Sequence, residues 1–436
     1  MGRQHKGRMS LQAVIDDALA ETPPGRVVWV ALSGGLDSCL LLALVADAAR
    51  RHPRPIHALH VDHGLQSAAA DFVRHCRWSC SRHGIPLFVE SVAVESVGRG
   101  LEAAAREARY AAFAKRVAPG ETLWLAQHAD DQAETFLLAA LRGSGVRGLA
   151  AMPETRDWRD RRLARPLLGV SRERLAAAAA ERGLSWCDDP TNLDISLDRN
   201  YLRHRVLPVL AVRWPGAARS LGEAARHAGE ADALLADLAA IDLAAAGNDP
   251  ARLDVAALVG LSRPRQRLLV RHACRCLELP TPPAARLESL LGQLAARDDA
   301  EVHVSWPGGE GRRWRGQLHL QRPAEPLPAG WRAVWDGRPG RVVPESPGPA
   351  VAVAWSLTRE TGEDAVLTLT ARRGGERLRA AGRGRRDVKR LLQEAGVPPW
   401  RREHQLLAWH GEVLVAVLGV AVAEGWRQIP RAWNRD

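Results

Sequence analysis

The sequence predicts an α/β protein: a parallel-sheet domain at the N-terminus, then a helical domain, then a small α+β domain. Three observations carry this. Over residues 26–142, apolar runs of strand length alternate with runs of helical length and composition. A glycine-rich turn, Ser33-Gly34-Gly35-Leu36-Asp37-Ser38, joins the first strand to the first helix. The texture then changes twice, to alanine- and leucine-rich helix from about residue 217, and to short β-like segments with Trp, Gly and Pro from about 301.

In order, RVVWVAL (26–32) is β-branched and apolar and reads as a buried strand. CLLLALVADAARR (39–51) follows as a helix, and IHALHVD (56–62) as a second strand. DFVRHCRWSCSRHG (71–84) is a helix and IPLFVESVAV (85–94) a third strand. LEAAAREARYAAFAKRVA (101–118) is an amphipathic helix, TLWLAQHA (122–129) a fourth strand and QAETFLLAALR (132–142) another helix. Strands that alternate with helices imply βαβ units in a parallel sheet, whose ligands sit at the carboxyl ends of the strands. The segments 217–246, 262–279 and 282–297 form the helical middle. The expected domains are 1–212, 213–330 and 331–436, the last opening with a loop-rich linker.

The composition is that of an ordinary globular protein, with 25% charged and 46% hydrophobic residues among 436. The net charge of +11 suggests a polyanionic partner. A GC-rich genome is the competing source of arginine, since Lys6, Lys115 and Lys389 are the chain's lysines. Clustering decides for the partner. Residues 371–402 carry eleven basic side chains against three acids, an excess of eight. The eleven are Arg372, Arg373, Arg377, Arg379, Arg383, Arg385, Arg386, Lys389, Arg390, Arg401 and Arg402. Such a localised footprint is the signature of phosphate-backbone binding. None of the six cysteines forms a CxxC pair, which argues against zinc or an iron–sulfur cluster. Met1 to Gln12 lacks an apolar core and no run approaches membrane-spanning length, so a cytoplasmic protein away from membranes is expected.

The glycine-rich turn carries the chemistry. Glycines let a backbone approach a phosphate, and the free N–H groups at a helix start attract anions. Ser33 and Ser38 add hydroxyls. The Lys-Ser/Thr ending of a Walker A loop is absent. Asp37 in an anion site makes sense if a cation stands between it and the phosphates, and Mg²⁺ is that kind of ion. The strict order resembles the SGGxDS signature of the PP-loop, or N-type, ATP pyrophosphatases. In that superfamily the loop holds the β and γ phosphates of ATP as a leaving group while a substrate oxygen is adenylated. The resemblance implies an ATP site of Ser33, Gly34, Gly35, Leu36, Asp37 and Ser38.

The motifs HVDHGLQ (60–66), LEAAAREARYAAF (101–113), AQHADDQAETFLLAALRGSGVRGLAAM (126–152), RPLLGVSRERL (165–175) and WCDDPTNLDISLDRNYLRHRVLPVL (186–210) follow in order, with GGERLRAAGRGRRDVKRLLQEAGVPPWRR (374–402) at the tail. This set closely resembles the bacterial tRNA(Ile)-lysidine synthetases, across essentially the whole chain. Gln66 stands where relatives often carry Arg. The resemblance implies adenylation by ATP of the C2 oxygen of the wobble cytidine, in isoleucine tRNA with a CAU anticodon. The ε-amine of L-lysine then attacks C2 and expels AMP. Neither the resemblance nor the residues choose between a monomer and a homodimer.

Several side chains are candidates for this chemistry. Asp130 and Asp131 meet the end of the fourth strand. One shares Mg²⁺ with Asp37 (Asp130 is the expected ligand) or takes a proton from the amine, or the pair simply caps the next helix. His128 is a donor to substrate or a satisfied strand-end histidine. Glu134 holds the lysine ammonium or is an ordinary first-turn carboxylate. Arg106 and Arg109 share a helical face with Glu102 and meet phosphate, or Arg106 pairs with Glu102. The 186–210 stretch, dense in charge and turn formers, orders against substrate or upon itself. Trp306, Trp314, Trp331, Trp335 and Trp355 read as core. In the tail, Arg372, Arg373, Arg377, Arg383, Arg385, Arg386, Lys389 and Arg390 are the expected tRNA-binding residues. The competing classes are a tRNA thiolase, which often brings paired cysteines, and a non-catalytic RNA-binding protein, which has no use for an intact SGGLDS.

Overall fold

A computed structural model describes residues 10–430, apart from 64–68, 94–100, 295–301, 326, 329, 346, 363–364, 381 and 383. Gln66, Arg383 and the side chain of Glu102 lie outside the described residues. The chain divides into two compact units, residues 1–236 and 237–436.

The first unit runs α1 (Leu11–Ala20), β1 (Val28–Ala31), α2 (Leu36–Arg51), β2 (Ile56–Asp62), α3 (Ala69–His83), β3 (Leu87–Ser91), α4 (Leu101–Arg116), β4 (Thr122–Trp124) and α5 (Ala129–Leu141). It continues with α6 (Val146–Leu149), β5 (Thr155–Trp158), β6 (Arg161–Ala164) and α7 (Arg172–Glu181), then α8 (Asp198–Tyr201) and α9 (Leu207–Arg213), while α10 (Ala217–Ala245) begins in the first unit and ends in the second. The sheet order is β3-β2-β1-β4-β6-β5, parallel except for β5. The predicted parallel sheet is therefore present. The fourth strand is shorter than expected, because the residues after Trp124 leave the ladder to enter α5.

Strand alternation explains the two cores of this unit. Val28 and Val30 pack with Ile15, Leu40, Leu44, Leu167 and Leu175 on one face, while Trp29 packs with Leu59, Phe113, Val117 and Leu163 on the other. α2 is buried along Ser38–Ala46, which is why its sequence is apolar almost all round. Strand order reverses between β1 and β4, so the crevice at their carboxyl ends is the topological switch point.

The second unit contains β7 (Arg252–Asp254), α11 (Val255–Gly260), α12 (Arg263–Cys276), α13 (Ala284–Gln293), β8 (Val302–Trp306), β9 (Gly309–Trp314) and β10 (Gln317–Gln321). The sheet β7-β10-β9-β8 covers the helices, with Leu253, Leu269, Leu287, Leu290, Leu318 and Leu320 in one core. The middle of the chain is thus helical with an antiparallel sheet attached. Beyond it come β11 (Arg332–Trp335), β12 (Gly340–Val342), β13 (Val351–Val353), β14 (Trp355–Arg359), β15 (Leu367–Ala371), β16 (Arg377–Ala380) and β17 (Gly384–Asp387). α14 (Val388–Glu394), α15 (Pro399–Arg402), β18 (Leu406–His410), β19 (Val413–Val417), β20 (Ala421–Val422) and β21 (Trp426–Pro430) complete it. Trp306, Trp331 and Trp335 are buried as core, each indole N–H donating to a backbone carbonyl, whereas Trp314 and Trp355 are half-buried.

Candidate active site

β1 ends at Ala31, and the chain must turn at once into α2. Gly34 makes that turn with φ +89°, and a Cβ there would sit 3.1 Å from Phe72 and 3.3 Å from the Cys76 sulfur. Only glycine fits both the backbone angle and the space. The Cys187 N–H donates to the Gly34 carbonyl at 2.9 Å, so the 186–210 stretch is seated on the loop. Among the described residues no side chain caps the start of α2, where Gly35 is the N-cap. That leaves a helix N-terminus with its positive dipole end directed to the crevice. The Ser33 and Ser38 hydroxyls are 3.0 Å apart; the Ser33 N–H donates to Ser38 Oγ (3.2 Å) and the Gly35 N–H to Ser33 Oγ (3.3 Å).

The second half of the site comes from the end of β4. His128 is the N-cap of α5 and is almost fully buried. Its Nε2 lies 3.6 Å from Asp37 Oδ2 and 3.5 Å from Asp131 Oδ2, and its Nδ1 lies 3.5 Å from Asp130 Oδ2. Burial alone would lower the pKa of this ring. The three carboxylates, Asp130 and Asp37 foremost, outweigh burial and raise it to about 10. The charged ring donates to Asp130 Oδ2 through Nδ1; the neutral ring accepts there from the Asp130 N–H at 3.3 Å. His128 is thus the hub that ties Asp37, Asp130 and Asp131 into one cluster.

The remaining oxygens divide by role. Asp130 Oδ2 also accepts from the Arg172 N–H at the start of α7 (2.9 Å). Burial would raise the pKa of Asp130, but His128 and that N–H bring it below the usual value. Asp131 Oδ2 accepts from the His128 N–H (3.1 Å), completing a capping box, and its Oδ1 faces Arg203 Nη2 at 3.0 Å. Helix capping and site geometry are therefore carried by the same two residues. Asp37 Oδ1 is buried and has no hydrogen-bond partner among the described residues. A buried acceptor without a donor suits a hard cation, so the residues present fit Mg²⁺ with Asp37 as its carboxylate ligand. Both protein partners of Asp130 in the cluster, His128 Nδ1 and the Arg172 N–H, fall on its Oδ2, so Oδ1 stays a candidate second oxygen for the ion.

Glu134 is fully enclosed. Arg203 Nε donates to Oε1 at 2.6 Å and Arg203 Nη2 to Oε2 at 3.1 Å, with Arg199 Nε 3.1 Å from Oε2. Burial raises its pKa, against the opposing pull of Arg203. A lysine ammonium would reach this carboxylate only by displacing an arginine. Arg203 lies in a π-helical turn, Leu202–Val206, a local irregularity frequent at functional sites. Preceding it, buried Asn200 donates to the Thr191 and Asp194 carbonyls, both at 2.9 Å, so the 186–210 stretch is ordered largely by itself. On α4, the Arg106 guanidinium stacks on Tyr110 at 5.1 Å, and Arg109 Nε approaches His63 Nε2 at 3.4 Å. His60, two residues before β2 ends, bonds the Leu32 carbonyl at 2.8 Å and so ties β2 to the glycine-rich turn.

In the tail, Arg373, Arg377, Arg385, Arg386, Lys389 and Arg390 are exposed, and Arg372 is half-buried beside Glu376 at 3.6 Å. The hairpin of β16 and β17 sets Arg379 directly opposite Arg385. Like charges in register destabilise a hairpin, a cost that a bound anion relieves.

A sheet reversed between β1 and β4, an SGGLDS turn at the switch point and a carboxylate cluster opposite it define a PP-loop nucleotide-binding protein. Residues 7–210 match the PP-loop domain family. The whole chain belongs to the tRNA(Ile)-lysidine synthase family. It is 43% identical over 425 residues to the tRNA(Ile)-lysidine synthase of Alkalilimnicola ehrlichii, covering 94% of each chain. It is 44% identical over 422 residues to that of Pseudomonas aeruginosa, covering 91% of this chain and 92% of the relative. Residues 253–319 match the TilS substrate binding domain and 367–435 the TilS substrate C-terminal domain. No helix among the described residues is long and apolar enough to cross a membrane.

Proposed function

We propose that this chain joins L-lysine to C2 of the wobble cytidine in isoleucine tRNA with a CAU anticodon, forming lysidine and changing decoding from AUG to AUA. ATP activates the base. The observation that supports this best is the pairing of an uncapped α2 N-terminus with the Asp37–His128–Asp130–Asp131 cluster at one switch point, in a chain of this family.

In the first step the cytidine O2 bonds to the α-phosphorus, and the bond to the bridging oxygen breaks to release pyrophosphate. The turn 33–38 binds the β and γ phosphates through backbone N–H groups and serine hydroxyls, where preorganised donors stabilise developing charge most. Asp37 would hold Mg²⁺, which when bound supplies further positive charge to the leaving group. In the second step the lysine ε-amine bonds to C2, the C2–O bond breaks and AMP departs. The amine must lose a proton. Asp130 and Asp131 stand at the crevice to accept it, and the His128 ring joins them to Asp37. Glu134 and Arg203 fix the position of Asp131 from behind. The domains act as 1–212 for chemistry and 213–330 and 331–436 for tRNA.

Initiator methionine tRNA carries the same anticodon, so discrimination draws on the rest of the tRNA. A site fitted to one cytosine edge leaves donors or acceptors unpaired against uridine, a penalty worth orders of magnitude. Labelled lysine offered with ATP and Mg²⁺ should enter the isoleucine CAU transcript and neither its C-to-U wobble variant nor the initiator. Equal labelling of all three, or pyrophosphate release with no labelling, would assign a different acceptor.

The basic tail makes tRNA binding salt-dependent on this reading. Replacing Arg377, Arg385 and Arg386 together by Ser should lower the slope of log K against log salt by about 0.7–0.9 for each phosphate that is no longer neutralised. ATP binding should not change. A slope equal to that of the unaltered protein would mark these arginines as solvated surface.

A further inference from the structure

The second unit holds a cleft of about 990 Å³, lined entirely by residues of that unit. The sheet pleat builds one wall. Leu253, Leu318 and Leu320 point into the helical core, so their neighbours Arg252 and His319, paired across β7 and β10, point the other way, into the cleft. The turn between β9 and β10 has positive φ at Arg315 (48°) and Gly316 (72°), as a tight two-residue hairpin requires, and it presents Arg315 at the rim. The facing wall comes from residues 396–398, Arg401 and the 418–420 turn.

Two aromatic rings line it, Trp314 and His319, and Trp400 packs against both. Trp314, His319 and Trp400 have centroids 5.4–6.4 Å apart in tilted and edge-to-face contacts. Arg315 stacks over Trp314 at 4.5 Å and Arg312 over Trp400 at 5.2 Å. His319 is 5% exposed, yet neither ring nitrogen has a hydrogen-bond partner among the described residues, and the Trp400 indole N–H is likewise buried without one. Burial, then Arg401 and Arg252, pull the His319 pKa down to about 4, so the ring is neutral, with one donor and one acceptor. Asp249 is the one carboxylate lining the cleft among the described residues, and it already accepts from Arg252 at 2.8 Å. Unsatisfied buried polar atoms, aromatic faces and excess cationic charge in one concavity are the elements of a nucleotide site.

We infer that this cleft binds one unpaired nucleotide of the RNA substrate, its base against Trp314 and His319 and its phosphate on Arg315 and Arg401. The neutral His319 ring has one donor and one acceptor nitrogen that point apart, so one of them is left to meet the base edge. This rests on the reading of the substrate as tRNA and adds a contact point to it.

The test uses the full chain with the isoleucine CAU transcript carrying 4-thiouridine, irradiated and mapped by peptide mass spectrometry. Crosslinks should fall on the peptides that contain Trp314, His319 or Trp400. Separately, an unstructured fluorescent RNA heptanucleotide should bind about tenfold more weakly to Arg315→Ala/Arg401→Ala and to Trp314→Ala, while ATP binding and thermal unfolding stay as in the unaltered protein. Free AMP should displace the heptanucleotide poorly. Crosslinks confined to other peptides, unaltered affinity in both variants, or displacement by AMP at the same concentration as RNA would overturn the inference. Lysine incorporation is measured in parallel. Incorporation without a cleft crosslink removes the cleft and keeps the proposed function; a cleft crosslink without incorporation does the reverse.

Discussion

Asp37→Ala should abolish ATP-dependent pyrophosphate release while the protein remains folded. The Asp37 carboxylate contributes one oxygen to His128 at 3.6 Å and leaves the other buried without a partner among the described residues. Folding gains little from such an oxygen, and the acidic residue in the first turn of α2 is worth only about 0.3–1 kcal/mol there. Catalysis loses the group that would position the cation at the leaving pyrophosphate. Removal of a single transition-state donor typically costs about 10²–10³ in rate, and loss of a metal ligand should cost at least that. Pyrophosphate release and thermal unfolding are the two readouts. Release within about tenfold of the unaltered enzyme would remove Asp37 from the metal site. Asp37→Asn keeps the shape and loses the charge, so it should fail as completely.

Arg203→Ala should have the largest effect on stability. It strips both oxygens of the enclosed Glu134 of their Arg203 hydrogen bonds, leaving the Arg199 ion pair on Oε2, and frees Asp131 Oδ1 as well. Breaking a buried ion pair by removing one partner costs about 3–5 kcal/mol, because a buried charge is left behind. The pH dependence tests the cause. The folded pKa of Glu134 is already raised, by burial, and loss of Arg203 must raise it further. A raised carboxylate pKa gives stability that is full below the unfolded value and is lost as pH rises through the folded one. The deficit of the variant against the unaltered protein should therefore shrink as pH is lowered toward the ordinary glutamate range. The double variant Arg203→Ala/Glu134→Gln should be more stable at neutral pH than Arg203→Ala alone. A deficit that is the same at every pH, with no rescue by Glu134→Gln, would trace the loss to packing instead.

What can be seen in the sequence follows the range of the interactions. The strand–helix alternation from β1 to α5 is local and strongly periodic, and it is legible, as is the SGGLDS turn, whose order of residue types is itself the signal. Strand β6 has two arginines in four residues and gives no apolar run, although it pairs with β4 inside the sheet. The carboxylates around His128 are visible as candidates, but not its role as their hub, which depends on β1 and β4 being neighbours. Glu134 and Arg203 are 69 residues apart and meet through the π-helical turn, which no pattern of residue types announces. The cleft under Trp314 escapes the sequence for a similar reason: Trp314 reads as core until Trp400 and His319 are placed beside it.

The hydroxyls of Ser33 and Ser38 bond each other, and Ser38 Oγ also donates to the Gly35 carbonyl at 3.0 Å. If the turn is the phosphate site, as proposed, nucleotide arrival is a trade: each hydroxyl would give up a partner inside the loop for a phosphate oxygen. The count of hydrogen bonds hardly changes in such an exchange, and the net gain per bond is correspondingly small. What distinguishes the two states is charge, since phosphate is an anion and a serine oxygen is not. Affinity should accordingly follow the ionisation of the terminal phosphates more than the number of donors around them. The same closed circuit keeps the turn in shape between turnovers, so that departing pyrophosphate leaves behind a loop already set for the next ATP.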